Sequence, residues 1–129
     1  MRALAAVLAF AVGCAPAEPP APECAGAAPR SLAADVRPLF RAHCGGAECH
    51  GQNYAGDRAY VDLVGAAAAQ CTGGSVLVTP FAPSASYLWH KLTGDSLCAG
   101  SVMPKRAAPL TPDELEIVRG WICAGARDD

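Results

Sequence analysis

The sequence has little charge and no excess of basic residues. Charged residues make up 17% of the 129 positions, and the formal net charge is -2. Proteins that bind nucleic acid normally carry a basic stripe or patch, so we exclude this class of function. Apolar residues make up 52% of the chain, which is typical of a folded protein, and the length allows one small domain.

Long hydrophobic runs are also missing. The one candidate is 1–13, where Arg2 precedes an apolar stretch that is too short to span a bilayer as a stable helix. We interpret 1–13 as a signal peptide. The sequence AVGC that ends at Cys14 resembles the lipobox of bacterial lipoproteins, which implies that Cys14 is lipidated, although ordinary cleavage near Ala15 or Ala17 is an alternative. Either interpretation predicts an exported domain.

Two further regions follow the signal peptide. Residues 14–30 are so rich in proline and alanine that we expect a semi-extended, lipid-anchored tether. The folded domain is predicted over 31–129. The expected location is the periplasmic side of a membrane, contacted only through the lipid anchor, and Ala15 in place of the aspartate of inner-membrane lipoproteins favours the outer membrane.

Because no stretch alternates convincingly between apolar and polar residues, the predicted fold class is all-α with long loops. The strongest helix signal is TPDE, in which Thr111 is the N-cap, proline follows, and glutamate stands three residues on. This helix should end near Gly125. Its predicted buried stripe consists of Leu115, Val118, Trp121 and Ile122.

Three shorter helices are expected before it. The first lies within 31–43, with Asp35 as its cap so that Pro38 falls in the first turn, where its missing N–H costs little. The second is a short helix near Tyr60. The third covers 84–93 and would be capped by Ser84 or Ser86.

The stretch HCGGAECHG, residues 43–51, carries the main chemical signal. A c-type haem needs two thiols that add to its vinyl groups and an adjacent imidazole that binds the iron, and Cys44, Cys49 and His50 supply these groups. The spacer between the cysteines has four residues instead of the usual two, and its glycines would let the extra length bulge. Two alternatives are a zinc site, for which further ligands at suitable spacing are missing, and a plain Cys44–Cys49 disulfide.

A possible distal ligand lies in SVMPK. Met103 is the only methionine besides the first residue, and it is predicted in a loop rather than in a periodic apolar pattern. Ligation by one methionine and one histidine raises the reduction potential of a haem iron relative to ligation by two histidines. His90 is the rival ligand, but it is expected on a partly exposed helix face. His43 is expected at a helix end, capping carbonyl groups.

These elements occur in the order DVRPLFRAHC, CHG, SASYLWHKL, MP and LTPDELEIVRGWICAGA. In this order the chain resembles the class I cytochrome c fold, in the variety found in exported single-haem domains of planctomycetes and myxobacteria. The resemblance implies one covalent haem c on Cys44 and Cys49, with His50 as the proximal and Met103 as the distal ligand. It also implies that Phe40 lies near Trp121.

Four cysteines remain if Cys14 carries lipid, and they allow three pairings. Cys123 is predicted on the helix face opposite the buried stripe, where the tether carrying Cys24 could reach it. We therefore expect a Cys24–Cys123 disulfide. The remaining disulfide, Cys71–Cys98, would hold the loops on either side of the third helix.

The predicted function is that of an electron carrier rather than an enzyme, with redox proteins as partners and no small-molecule substrate. No acid–base pair or activated nucleophile stands out in the sequence. Two alternatives are left open. One is a haem-free, disulfide-stapled lipoprotein with a binding or structural role, and the other is a haem enzyme or gas sensor with an open distal position.

Overall fold

A computed structural model describes residues 21–51, 53–56 and 58–129 of the protein. Within these ranges every regular element is a helix or a helical turn, and the β-structure consists of isolated bridges between loop residues, without a strand or sheet. The predicted class, a small helical protein with long loops, is confirmed at this level. The predicted signal peptide, the lipidation site Cys14 and the first part of the tether lie outside the described residues.

The regular elements are short. A π-helical turn, Leu32–Val36, leads directly into helix α1, and 3-10 turns are formed by Pro22–Cys24 and Pro83–Ala85. The α-helices are α1 (Arg37–His43), α2 (Ala59–Leu63), α3 (Tyr87–Thr93) and α4 (Pro112–Cys123).

The cap of the first helical segment differs from the prediction. Ser31, not Asp35, is the N-cap, because its hydroxyl accepts a hydrogen bond from the backbone N–H of Ala34 at 3.1 Å. The carboxylate of Asp35 instead reaches back and accepts from the N–H of Ser31 at 2.9 Å. The wider π-helical turn lies directly before Pro38, where a regular helix would bring the proline ring against the carbonyl four residues earlier.

Helix α3 begins later than predicted. Neither Ser84 nor Ser86 caps it through a side chain, although Ser86 occupies the N-cap position. The fully buried hydroxyl of Ser86 accepts from the N–H of Thr79 at 2.9 Å and donates to the carbonyl of Ala82 at 2.8 Å. The Ser86 hydroxyl therefore bonds within the loop before the helix instead of capping the helix. A buried hydroxyl needs both a donor and an acceptor partner, and the loop provides both.

Helix α4 agrees with the sequence signal. Thr111 and Glu114 form a reciprocal capping box, and the helix ends at Cys123, with Gly125 at a φ of 97° just beyond it. Val118, Trp121 and Ile122 are fully buried, whereas Leu115 is half-buried. Together with Phe40 the three buried residues belong to one core cluster. Its other members are Leu32, Val36, Leu39, Ala55, Leu63, Val78, Leu92, Leu110 and Ala126.

Part of the segment assigned to the tether contacts the helical domain. Cys24 is buried and bonded to Cys123, and Arg119 donates to the carbonyl of Glu23 at 2.7 Å. The chain then crosses α4 over Gly120, where a Cβ atom would collide with the carbonyl oxygen of Ala28. The glycine is therefore what allows the two backbones to approach.

The structure contains the disulfides Cys24–Cys123 and Cys71–Cys98, which are the two pairs expected from the sequence. Disulfides persist in oxidising compartments, so they indicate an extracytoplasmic environment. Across the described part of the chain, no helix has the length and apolar character needed to cross a membrane.

Candidate functional site

The loop that carries CGGAECH folds back on its own start. Cys44 is the C-cap of α1, and its N–H donates to the carbonyl of Phe40 at 2.7 Å. The N–H of Cys49 bonds to the carbonyl of Gly46 at 2.9 Å, and the N–H of His50 returns to the carbonyl of Cys44 at 3.2 Å. The four-residue spacer thus forms a closed turn that brings His50 back beside Cys44.

Glycine has a steric role at the start of this turn. A Cβ atom on Gly45 would lie 3.0 Å from the carbonyl oxygen of Arg41, which is closer than side chains normally approach a backbone. Beyond the turn, the guanidinium of Arg41 donates to the carbonyl of Ala55 at 3.1 Å. Helix α1 therefore fixes both the first cysteine and the return of the chain.

Cys44 and Cys49 are free thiols, and all the other cysteines within the described ranges are paired. Cys44 is half-buried against the core, and burial, followed by the nearby Cys49, raises the pKa of its thiol to about 11. Cys49 is exposed. In the structure these two sulfurs are not joined in the disulfide that was one of the alternatives from the sequence.

His50 is half-buried, and its ring stacks at a tilt on the ring of Tyr54, with the centroids 4.5 Å apart. Burial lowers the pKa of the His50 imidazole from its ordinary value. The lowered pKa favours the neutral ring, which is the form that binds a metal. Sequence reasoning missed Tyr54, whose spacing of four residues from His50 was the available signal.

Met103 lines the same two cavities as Cys44 and His50. It is half-buried, packs against the core cluster, and is held by a 2.7 Å hydrogen bond from its N–H to the carbonyl of Lys91 in α3. The preceding segment is attached at Cys98 by the disulfide to Cys71. The predicted loop position of the methionine agrees with the structure.

Two cavities adjoin at these residues. The first has a volume of about 280 Å³, and the second, on the side of the cysteine loop, has about 490 Å³. Cys44, His50 and Met103 line both. The volumes are in the range of cofactor sites, and the first cavity has a largely apolar wall, as such sites usually do. This wall includes Phe40, Leu63, Leu77, Leu88 and Leu92.

The donor set therefore fits a covalently bound haem. The Cys44 thiol, the His50 imidazole and the Met103 thioether line both cavities, and the Cys49 thiol lines the second. These are the groups that c-type attachment and axial ligation use. Over the described residues, no group of three or more His, Cys, Asp or Glu side chains is placed to hold a metal ion.

The two other histidines are engaged elsewhere. His90 does not line either cavity, and its Nε2 lies 2.9 Å from the carbonyl oxygen of Ser84. His43 was expected to cap carbonyl groups, but its Nε2 instead lies 2.8 Å from a carboxylate oxygen of Glu114. The correction has a simple cause, because α4 brings the capping-box glutamate beside the end of α1, and a carboxylate is a better partner than a peptide carbonyl.

Lys91 was also missed by sequence reasoning. It is a buried lysine that lines the first cavity, and both its ammonium and its backbone carbonyl bond to the segment that ends at Met103. The available signal was its position one turn after Tyr87, within an otherwise apolar helix face.

Comparison with protein-family models, with curated proteins and with solved structures finds no match to this chain.

Proposed function

We propose that this protein is an exported monohaem c-type cytochrome that carries single electrons between redox partner proteins. Haem c would be attached to Cys44 and Cys49, with His50 and Met103 as axial ligands. The observation that carries the proposal is that one thiol, the imidazole and the thioether line two adjoining cavities together. The class I cytochrome c-like resemblance of the sequence supports the same assignment.

The cysteine chemistry of the structure is consistent with attachment. Four cysteines are used in disulfides, and the two in the CGGAECH loop are left as thiols. Each thiol would add across one vinyl group, so that its sulfur forms a bond to one vinyl carbon and its hydrogen passes to the other. This addition needs no oxidant and releases no group. With a pKa of about 11, Cys44 is in its protonated form at neutral pH, so the proposal includes a cellular maturation system that directs the addition.

The remaining residues would set the environment of the iron. Haem c supplies a reversible one-electron couple. The neutral imidazole of His50 and the thioether of Met103 would occupy both axial positions, which leaves no open position for a substrate or a gas. The apolar wall formed by Phe40, Leu63 and Leu92 would exclude water. This arrangement favours an electron carrier over a haem enzyme or sensor.

The proposed location is the periplasmic side of a membrane, to which the lipid on Cys14 anchors the protein. The oxidising environment indicated by the disulfides supports export. The lipobox-like sequence supports the anchor, and Ala15 favours the outer membrane.

The test is a pyridine haemochrome spectrum of protein exported together with a cytochrome c maturation system. Acid–acetone extraction before the measurement removes haem that is not covalently bound. We expect the c-type spectrum to survive in the natural protein and to disappear after replacement of both Cys44 and Cys49 by alanine.

A matched pair of histidine variants tests the axial ligand. His50→Gln should abolish the low-spin haem spectrum, whereas His90→Gln should leave it unchanged because His90 lies outside both cavities. A colourless natural protein with intact disulfides would contradict the proposal and support the haem-free, disulfide-stapled lipoprotein.

A further inference from the structure

Lys91 is a buried lysine whose ammonium group donates two hydrogen bonds to one loop. Its residue exposure is 8%, and Nζ donates to the carbonyl of Ala99 at 2.9 Å and to that of Ser101 at 3.0 Å. Nζ also lies 5.8 Å from the ring centroid of Tyr87. A buried ammonium is stabilised by such carbonyl and aromatic partners, and without them its burial would be costly.

The backbone of Lys91 extends this set of contacts to Met103. Its carbonyl accepts the 2.7 Å hydrogen bond from the N–H of Met103. Lys91 therefore bonds to every second residue of the segment, at Ala99, Ser101 and Met103. No regular secondary structure fixes this segment, so its conformation depends on these contacts.

Neighbouring groups make the contact specific. The hydroxyl of Tyr87, one helical turn before Lys91, accepts from the N–H groups of Cys98 and Ala99 at 3.2 and 3.3 Å. Gly100 turns the chain between the two carbonyls at a φ of 72°, and a Cβ atom there would lie 3.3 Å from Nζ of Lys91. The loop thus has a glycine at the turn between the two carbonyls that the lysine binds.

We propose that Lys91 is a positioning residue that holds residues 99–103 against α3 and so places the sulfur of Met103 for iron ligation. This inference rests on the proposed function, since the ligand role of Met103 belongs to it. The placement of the segment itself is a separate property that is measurable with or without haem.

The experiment compares the natural protein with Lys91→Leu and Lys91→Arg. Leucine removes the ammonium without adding a second thioether to the first cavity, and arginine retains a cation with N–H donors. Arg127→Leu is the control, because Arg127 is exposed and lines neither cavity. Amide hydrogen exchange of residues 99–103 measures placement, and the sulfur-to-iron absorption band and the reduction potential measure ligation.

In Lys91→Leu we expect exchange at the Met103 amide to accelerate about tenfold, as for a local opening made easier by the loss of buried hydrogen bonds. The sulfur-to-iron band should weaken and the potential should fall, because methionine ligation raises it. Lys91→Arg should restore part of both signals. Arg127→Leu should leave exchange in this segment at its natural rate.

Three results would overturn the inference. One is unchanged exchange in a folded Lys91→Leu variant. Another is faster exchange with an unchanged band and potential, which would mean that Lys91 holds the loop but does not position the ligand. If the variant fails to fold, the natural protein still decides, because a Met103 amide that exchanges as fast as an unstructured one contradicts the proposed contact. A haemochrome spectrum taken first separates these results from a failure of the proposed function, since a colourless protein removes the ligand role whatever the exchange data show.

Discussion

Cysteines stabilise one region of this molecule and leave another open. Along α4, Cys123 is bonded to a buried Cys24, Arg119 holds the carbonyl of Glu23, and the 22–30 segment lies directly on the helix at Gly120. Around the CGGAECH loop, Cys44 and Cys49 are unpaired and two cavities meet. The same residue type therefore forms a disulfide in one region and lines cavities as a free thiol in the other.

The difference shows where this small domain obtains its stability. The region around α4 has a buried core, a capping box and a disulfide, all of which are independent of any cofactor. The cysteine loop is held by backbone turns, by the packing of Cys44 on the core and by the contact of His50 with Tyr54. The region around α4 should thus fold without haem, and under the proposed function haem would add contacts at the cysteine loop.

Removing the disulfides should have the largest effect on the stability of the protein. In the chain-entropy model, the Cys24–Cys123 bond, with a sequence separation of 99, contributes about 4.7 kcal/mol. The Cys71–Cys98 bond, with a separation of 27, contributes about 3.6 kcal/mol. Replacing each pair by alanine should lower the free energy of unfolding in that order, as measured by urea denaturation. The reverse order would show that loop length does not decide the contribution.

A smaller effect is expected where the 22–30 segment crosses α4. Gly120→Ala would place a methyl group against the carbonyl of Ala28 and should destabilise the protein by about 1–3 kcal/mol, although alanine is the better helix former. Urea denaturation measures the loss. Gly73→Ala, in an exposed turn with no atom within 4 Å of the added Cβ, is the control and should change stability little. Equal effects at both glycines would contradict the close approach.

At the CGGAECH loop, in contrast, loss of a cysteine should have little effect on the stability of the haem-free protein. Because Cys49 is exposed, Cys49→Ala should change the stability of the haem-free protein by no more than about 0.5 kcal/mol. In the haem-loaded protein it should remove one of two thioether bonds and shift the pyridine haemochrome maximum toward that of haem attached through a single bond. A large loss of stability in the haem-free protein would show that Cys49 contributes to the stability of the fold itself.

The smallest expected effect is a pH dependence at the junction of the two regions. A hydrogen bond from the N–H of Thr111, and then one from His43, hold the pKa of Glu114 below its ordinary value of about 4.5. The ionised carboxylate therefore stabilises the fold above that pH, and this contribution is lost as the pH falls through the lowered pKa. Glu114→Gln, which keeps the geometry of the capping box, should flatten this part of the stability curve. Acid titrations of urea stability for both proteins measure the difference, and identical curves would contradict it.

The sequence predicted those parts of the fold that depend on local chemistry. The Thr111 capping box, the end of α4 near Gly125 and the short helix near Tyr60 follow from propensity and capping, which act within a few residues. The disulfide pairing followed from the one helix face on which Cys123 could be reached. His50 and Met103 line the same cavities because of long-range packing. The sequence could indicate this proximity only through the order of the motifs.

The errors came from contacts between segments that are distant in the sequence or from competition within a turn. Asp35 was expected to be a cap because it precedes Pro38, but the helical segment already begins at Leu32, so the N-cap position falls on Ser31. His43 was expected to bond to carbonyl groups, but it bonds to the carboxylate of Glu114, which lies 71 residues later in the chain. Lys91 bonds to a loop whose path no local pattern specifies.

The most direct test of the central claim is the intact mass of the exported protein after alkylation without prior reduction. The account predicts the mass of the processed chain with its lipid on Cys14, increased by one haem and with two disulfides retained. No cysteine should be alkylated, because Cys14 carries the lipid and Cys44 and Cys49 are both in thioether bonds. A haem-free mass would contradict it, either with two alkylated thiols or with a third disulfide between Cys44 and Cys49.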